Sequence, residues 1–205
     1  GVDISGGGPA SRETPLTSPV TADNPINAIV LSGGSAYGLA ASDGVMRCLE
    51  EHGIGFETGY AKVPLVCQSC IYDLGYGSAT VRPDSEMGYA ACEKALAGGN
   101  PSSGSVGAGT GATVGKICGM ERAMKSGLGM YAVQLGELRM AAVVAVNALG
   151  DIFDSSTGRK IAGLRTEDGT AFSDSCEELW KMGQRENLFT GNTTIGAAIS
   201  RFAPS

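Results

Sequence analysis

The chain carries a single histidine, His52, among its 205 residues. A Ser-His-Asp or Cys-His nucleophile system would have to use it, and a zinc site built from several histidines is impossible. His52 stands just before Gly53 at the end of a helical pattern, where a histidine near the carboxyl end of the helix dipole is ordinary. Proton transfers are therefore expected to run without imidazole. The segment Gly191-Asn192-Thr193-Thr194-Ile195-Gly196 offers a way. Read alone it is a turn feeding a strand. If the Asn192–Thr193 bond is cut, however, Thr193 carries its own base, because an α-amino group titrates at about 7.7–8.0 and can take the hydroxyl proton.

A second candidate is the glycine-dense run Ser105-Val106-Gly107-Ala108-Gly109-Thr110-Gly111-Ala112-Thr113-Val114-Gly115-Lys116. It fails as a phosphate loop, since Thr110 stands where the first glycine belongs and Ile117 where Ser or Thr should follow the lysine. It fails as a dinucleotide fingerprint because Ala112 occupies the third glycine position and no clear strand precedes it. These glycines let backbone approach something closely, either another element or a substrate whose oxygens face N–H groups. The six cysteines lack the spacing of a secreted disulfide scaffold. Cys67-Gln68-Ser69-Cys70 is a lone CxxC without the second pair that a four-thiolate zinc site needs. Buried thiols in a reducing, cytoplasmic compartment are the expectation.

The elements that must position these groups follow from periodicity. Residues 1–25 hold four prolines and a triple glycine and read as irregular. Ile26–Ser32 reads as a buried strand, followed by a helix over Ala36–Glu51. Lys62–Val66 reads as a strand, and Pro83–Leu96 as a second helix. Leu128–Leu135 and Leu138–Asn147 form a hairpin on Gly136-Glu137, a pair suited to a type II′ turn. The second of these strands is apolar on both faces and is expected inside a stack of layers. A third helix starts near Ser175, with Ser175 and Glu178 at capping-box spacing, and Thr193–Ser200 reads as a core strand. Hydrophobic residues make up 42% of the chain, which excludes disorder, and a net charge of −6 argues against nucleic acid as a partner. Met140–Val146, the longest strongly apolar run, is far short of the roughly 20 residues that span a bilayer. The pattern is one α/β or α+β domain over residues 1–205.

Six segments in order, GGGPASRET (Gly6–Thr14), SGGSAYGL (Ser32–Leu39), GAGTGATVGK (Gly107–Lys116), AMKSGLG (Ala123–Gly129), VAVNALGD (Val144–Asp151) and GNTTIG (Gly191–Gly196), resemble the P1 peptidase family, the DmpA-like L-aminopeptidase/D-esterases. The resemblance implies a four-layer α/β/β/α sandwich and a precursor that cuts itself before Ser or Thr. It implies Thr193 as nucleophile and new N-terminus of a β-chain part (residues 193–205), and Asn192 as the residue before the cut. Asn147 would stabilise the oxyanion, a strong lever in acyl transfer. Gly107, Gly109, Thr110 and Gly111 would bind substrate. No metal or organic cofactor is expected, the substrate is a small peptide or an aminoacyl amide or ester, and the protein is expected to be a homo-oligomer.

Against that pattern the chain is expected to be a member truncated at both ends, with a β segment missing, so that this 205-residue chain is itself inactive. Two rivals remain at this point. An acyltransferase like ornithine acetyltransferase shares the chemistry up to the acyl-enzyme. A non-catalytic binding or assembly subunit would keep the fold and hold a ligand with the glycine loops.

Overall fold

The computed structural model describes residues 1–22, 24–99, 101–183 and 192–202. The chain divides into two compact units, Gly1–Cys70 with Thr80–Ser102 and Ile71–Ala79 with Ser103–Ser205. Both mix helix and strand.

In the first unit, β1 (Ser11–Arg12), β2 (Ala28–Ser32) and a third strand over Val66–Cys70 make one sheet. Between them lie α1 (Ala41–Glu51) and the small ribbon of β3 (Phe56–Glu57) and β4 (Lys62–Val63); the Val66–Cys70 strand is β5, and α2 (Ser85–Leu96) follows. β5 is central, parallel to β2 and antiparallel to β1. The single strand expected over Lys62–Val66 is thus two. Pro64, which cannot donate to a ladder, lies between them, and both cysteines of the CxxC lie inside β5, buried. The expected helix from Ala36 begins instead as 3-10 turns over Ser35–Ala40 and becomes α-helical at Ala41.

Val45, Cys48 and Leu49 of α1, Val66 of β5 and Cys92 of α2 form the core of this unit. Each buried Val or Leu contributes roughly 1.5–3 kcal/mol. The two helices run in the same direction, as successive pairs show: Arg47 with Glu86, Glu51 with Tyr89, His52 with Glu93. They cross on glycine. A methyl group at Gly44 would collide with the Ser85 carbonyl, and one at Gly88 with the Ala41 carbonyl. α2 is capped by Asp84, whose carboxylate accepts from the Met87 N–H at 2.8 Å, with Pro83 one residue outside.

The second unit contains the β6–β7 ribbon (Thr113–Val114, Met124–Lys125) and the hairpin β8 (Leu128–Leu135) and β9 (Leu138–Asn147). After these come the β10–β11 ribbon (Ile152–Phe153, Lys160–Ala162), α3 (Ser175–Met182) and β12 (Thr193–Phe202). The hairpin turns on Gly136 with φ 59°, as a two-residue turn of this kind requires. β12 pairs antiparallel with β9 over its whole length, giving the order β12-β9-β8. β9 is not covered throughout as its sequence suggests: Arg139, Met140 and Ala141 near the hairpin are exposed, and burial concentrates at Ala145 and Asn147. Among the described residues no helix is long and apolar enough to cross a membrane.

α3 begins one residue away from the expected capping box. Asp174 is the cap, accepting from the Cys176 and Glu177 N–H groups at 2.8 and 3.0 Å. Ser175 instead donates its hydroxyl to Asp151 at 2.8 Å. Asp151 also accepts from the Leu164 N–H at 2.8 Å and the Lys160 ammonium at 2.6 Å. Burial raises the Asp151 pKa, but the lysine and these hydrogen bonds outweigh it and hold the carboxyl below its ordinary value. The stability this supplies is present above the unfolded carboxyl pKa of about 3.9 and is lost as pH falls through the lower folded value. Asp151→Asn is therefore expected to cost about 3 kcal/mol near neutral pH, where it strands Lys160. In thermal melts across pH, the gap to the parent protein should close below about pH 4.

Candidate active site

Thr193, the first residue of β12, lies directly opposite Asn147, the last residue of β9. Asn147 is fully buried. Its side-chain oxygen accepts from Lys116 Nζ at 2.8 Å, the Thr113 N–H at 3.1 Å and the Thr113 hydroxyl at 3.4 Å. Lys116 Nζ also reaches the Asn147 main-chain carbonyl, at 2.9 Å. The Asn147 amide donates to the Tyr72 carbonyl at 2.6 Å, while the Tyr72 N–H donates to the Thr193 hydroxyl at 3.1 Å. One residue's backbone thus holds both the threonine oxygen and the asparagine amide.

Local structure explains how a lysine comes to be there. The Gly115 and Lys116 N–H groups bond to the carbonyls of Gly150 and Leu149 at 2.9 and 2.7 Å, which fastens the end of the glycine run to the turn after β9. Gly115 has φ 68°, and a methyl group there would strike the Leu164 amide, so only glycine fits. Lys125 braces the same run from the other side. Its ammonium donates to the carbonyls of Gly109, Ala112 and Ser126 at 2.6, 3.1 and 2.6 Å.

Lys116 is only 6% exposed. Burial disfavours its charged form and brings its pKa down to about 8, against an opposing pull from the Asp73 carboxylate. A lysine so placed holds a sizeable neutral fraction near physiological pH and can accept a proton. Beside it opens a cavity of about 530 Å³ whose lining includes Tyr72, Asp73, Tyr76, Lys116, Arg122 and Glu178. That volume suits a small ligand.

The sequence reading singled out Thr193 and Asn147, and the structure brings them together; Asn192, exposed, precedes Thr193. Gly107, Gly109, Thr110 and Gly111 lie on the braced loop. Gly109 packs against Gly104 and Leu128, and Gly111 against the Asp73 side chain, so at these two positions the close approach is to protein. Gly107 has open space beside it, and Thr110 is exposed. Sequence reasoning missed Lys116 and Tyr72. Lys116 carried one usable signal, a lone charge in the apolar and small stretch Ala112–Ile117.

The sequence profile of peptidase family S58 matches residues 1–196. An uncharacterized aminopeptidase of Mycobacterium leprae is 38% identical over 97% of this chain and 55% of its own length. One from Mycobacterium tuberculosis is 42% identical over 77% of this chain and 43% of its own. A 6-aminohexanoate-oligomer endohydrolase of a Kocuria species is 35% identical over 85% and 49%. The chain spans about half the length of these relatives. With a profile match over nearly its whole length, the chain belongs to peptidase family S58.

Proposed function

We propose that the protein is a self-processing amide hydrolase of the N-terminal-nucleophile type, acting as an aminopeptidase on small peptides, amides or esters. The observation that carries this reading is the hydrogen-bonded set Thr193, Tyr72, Asn147 and Lys116, of which Asn147 and Lys116 are buried. In self-cleavage, the Thr193 oxygen attacks the Asn192 carbonyl carbon as Lys116 takes the hydroxyl proton. The C–N bond breaks, and the proton passes to the departing Thr193 nitrogen. The resulting Asn192 ester on the threonine oxygen is hydrolysed by water, leaving a carboxylate on Asn192 and a free amine on Thr193. Substrate turnover repeats the attack on an amide held in the cavity, through an acyl-enzyme on Thr193.

Asn147 serves the oxyanion in both reactions. Its amide nitrogen has two hydrogens, of which the Tyr72 carbonyl takes one. The curated relatives are named for cutting amide bonds, as aminopeptidases or as an oligomer endohydrolase, which supports an amide substrate. A four-layer α/β/β/α arrangement, DmpA-like specificity and homo-oligomerisation belong to the same proposal.

Intact mass and N-terminal sequencing of purified protein that carries the expected β segment test it. Two fragments are expected, the second beginning Thr193-Thr194-Ile195-Gly196. A single uncut chain in folded protein would refute self-processing and leave Thr193 without its amine.

A further inference from the structure

The one histidine belongs to a second constellation, on residues the hydrolytic site does not use. Cys48 and His52 stand one helical turn apart on α1 and at its end, and Glu93 faces them from α2. One potential ligand atom from each residue lies within 4.8 Å of the other two. The Cys48 thiol is 3.4 Å from Glu93 Oε1, and His52 Nε2 is 3.5 Å from the same oxygen. For a tetrahedral zinc ion with one sulfur, one nitrogen and one oxygen ligand, the bond lengths put neighbouring ligand atoms about 3.3–3.6 Å apart. The two separations fall inside that range.

The imidazole is oriented for the task. His52 Nδ1 lies 2.9 Å from the Cys48 main-chain carbonyl, a partner that can only accept, so Nδ1 carries the hydrogen and Nε2 presents its lone pair toward Glu93. Ligating histidines are ordinarily fixed this way. The glycine crossing supplies the reach. Cys48 and Cys92 each follow one turn after the glycine at which α1 and α2 touch, and both belong to the core that the two helices share. A bulkier crossing would part the helices beyond the span of one ion. The His52 and Glu93 side chains are 43% and 46% exposed, so the position opens to solvent, from which an ion can arrive and a water can complete its shell.

We propose that Cys48, His52 and Glu93 form a zinc-type site that clips the carboxyl end of α1 to α2, with a structural role. Binding replaces the Cys48 S–H bond with a metal–sulfur bond, and the proton leaves to solvent. The ordinary reading of the same residues, an ion pair closing a helix end over a buried cysteine, requires no such binding, and the two differ in what a thiolate-sensitive probe reports.

The experiment titrates Co²⁺ into the reduced full chain and follows the thiolate-to-cobalt charge-transfer band in the near ultraviolet. One equivalent is expected to saturate the band, and one equivalent of Zn²⁺ to displace it. His52→Ala and Glu93→Gln alter half-exposed side chains and are expected to fold, while weakening Co²⁺ binding at least about tenfold. Cys48→Ser should abolish the band, and Cys118→Ser and Cys176→Ser should keep it. Zn²⁺ should raise the Tm of the parent chain and not that of His52→Ala. No saturable band, an unchanged affinity in either surface variant, or a band that vanishes with Cys118 or Cys176 would overturn the proposal.

Discussion

Thr193→Ala, in protein that carries the expected β segment, is expected to leave one uncut chain, with amide turnover lowered by roughly 10⁴–10⁶-fold, the range seen when a nucleophile that acts with a base is deleted. The fold should barely register the change. Thr193 is held by its backbone ladder to Asn147, and the lost contact is one hydrogen bond from the Tyr72 N–H, about 1 kcal/mol at most. Thr193→Ser keeps the oxygen and should restore both cleavage and turnover. Mass spectrometry reads the cut and a small aminoacyl anilide reads turnover. Normal cleavage in Thr193→Ala would remove the residue from the mechanism.

Lys116→Met should come next in size. Methionine keeps the length of the buried stem and removes the ammonium that bonds to both oxygens of Asn147. A positioned acid–base group contributes about 10²–10⁴-fold, and the loss is expected in kcat more than in KM, since Lys116 moves a proton and does not hold the substrate. The pH profile separates this role from a structural one. With its pKa brought down to about 8 by burial, Lys116 becomes a competent base as pH rises through that value, so cleavage should rise with it and level off above. The mature Thr193 amine titrates in the same region, but it does not exist before the cut. The pH dependence of self-cleavage alone therefore isolates Lys116. A profile flat from pH 6 to 9 would count against the lysine as base.

Legibility in the sequence depended on how local each determinant is. The Gly136-Glu137 hairpin was readable because two residues must make the whole reversal and few pairs can. Both main helices carried their patterns and stops. α3 was displaced by one residue because Asp174 and Ser175 both suit a cap, and the choice fell to Asp151, 24 residues upstream, which binds the serine. The CxxC strand was misplaced because a central strand buries both faces and loses the alternation that marks an edge.

The site was half legible. Thr193 is reached from its own segment and Asn147 through family resemblance, whereas Lys116 acquires meaning only from partners 31 residues downstream and Tyr72 from one 121 residues away. No window of periodicity spans such separations. A main-chain clamp leaves no trace in side-chain type at all.

That last point bears on how such a protein can diversify. Tyr72 grips the threonine and the asparagine with its amide and carbonyl, and the same residue is part of the cavity lining. On the proposed mechanism, the main chain of this residue serves the chemistry and its side chain is left to selectivity. Any amino acid but proline supplies the same amide and carbonyl, so on the proposed mechanism a change of side chain here reshapes the pocket while the main-chain grip stays. Under that proposal, substrate range shifts here by single substitutions without loss of the hydrolytic chemistry.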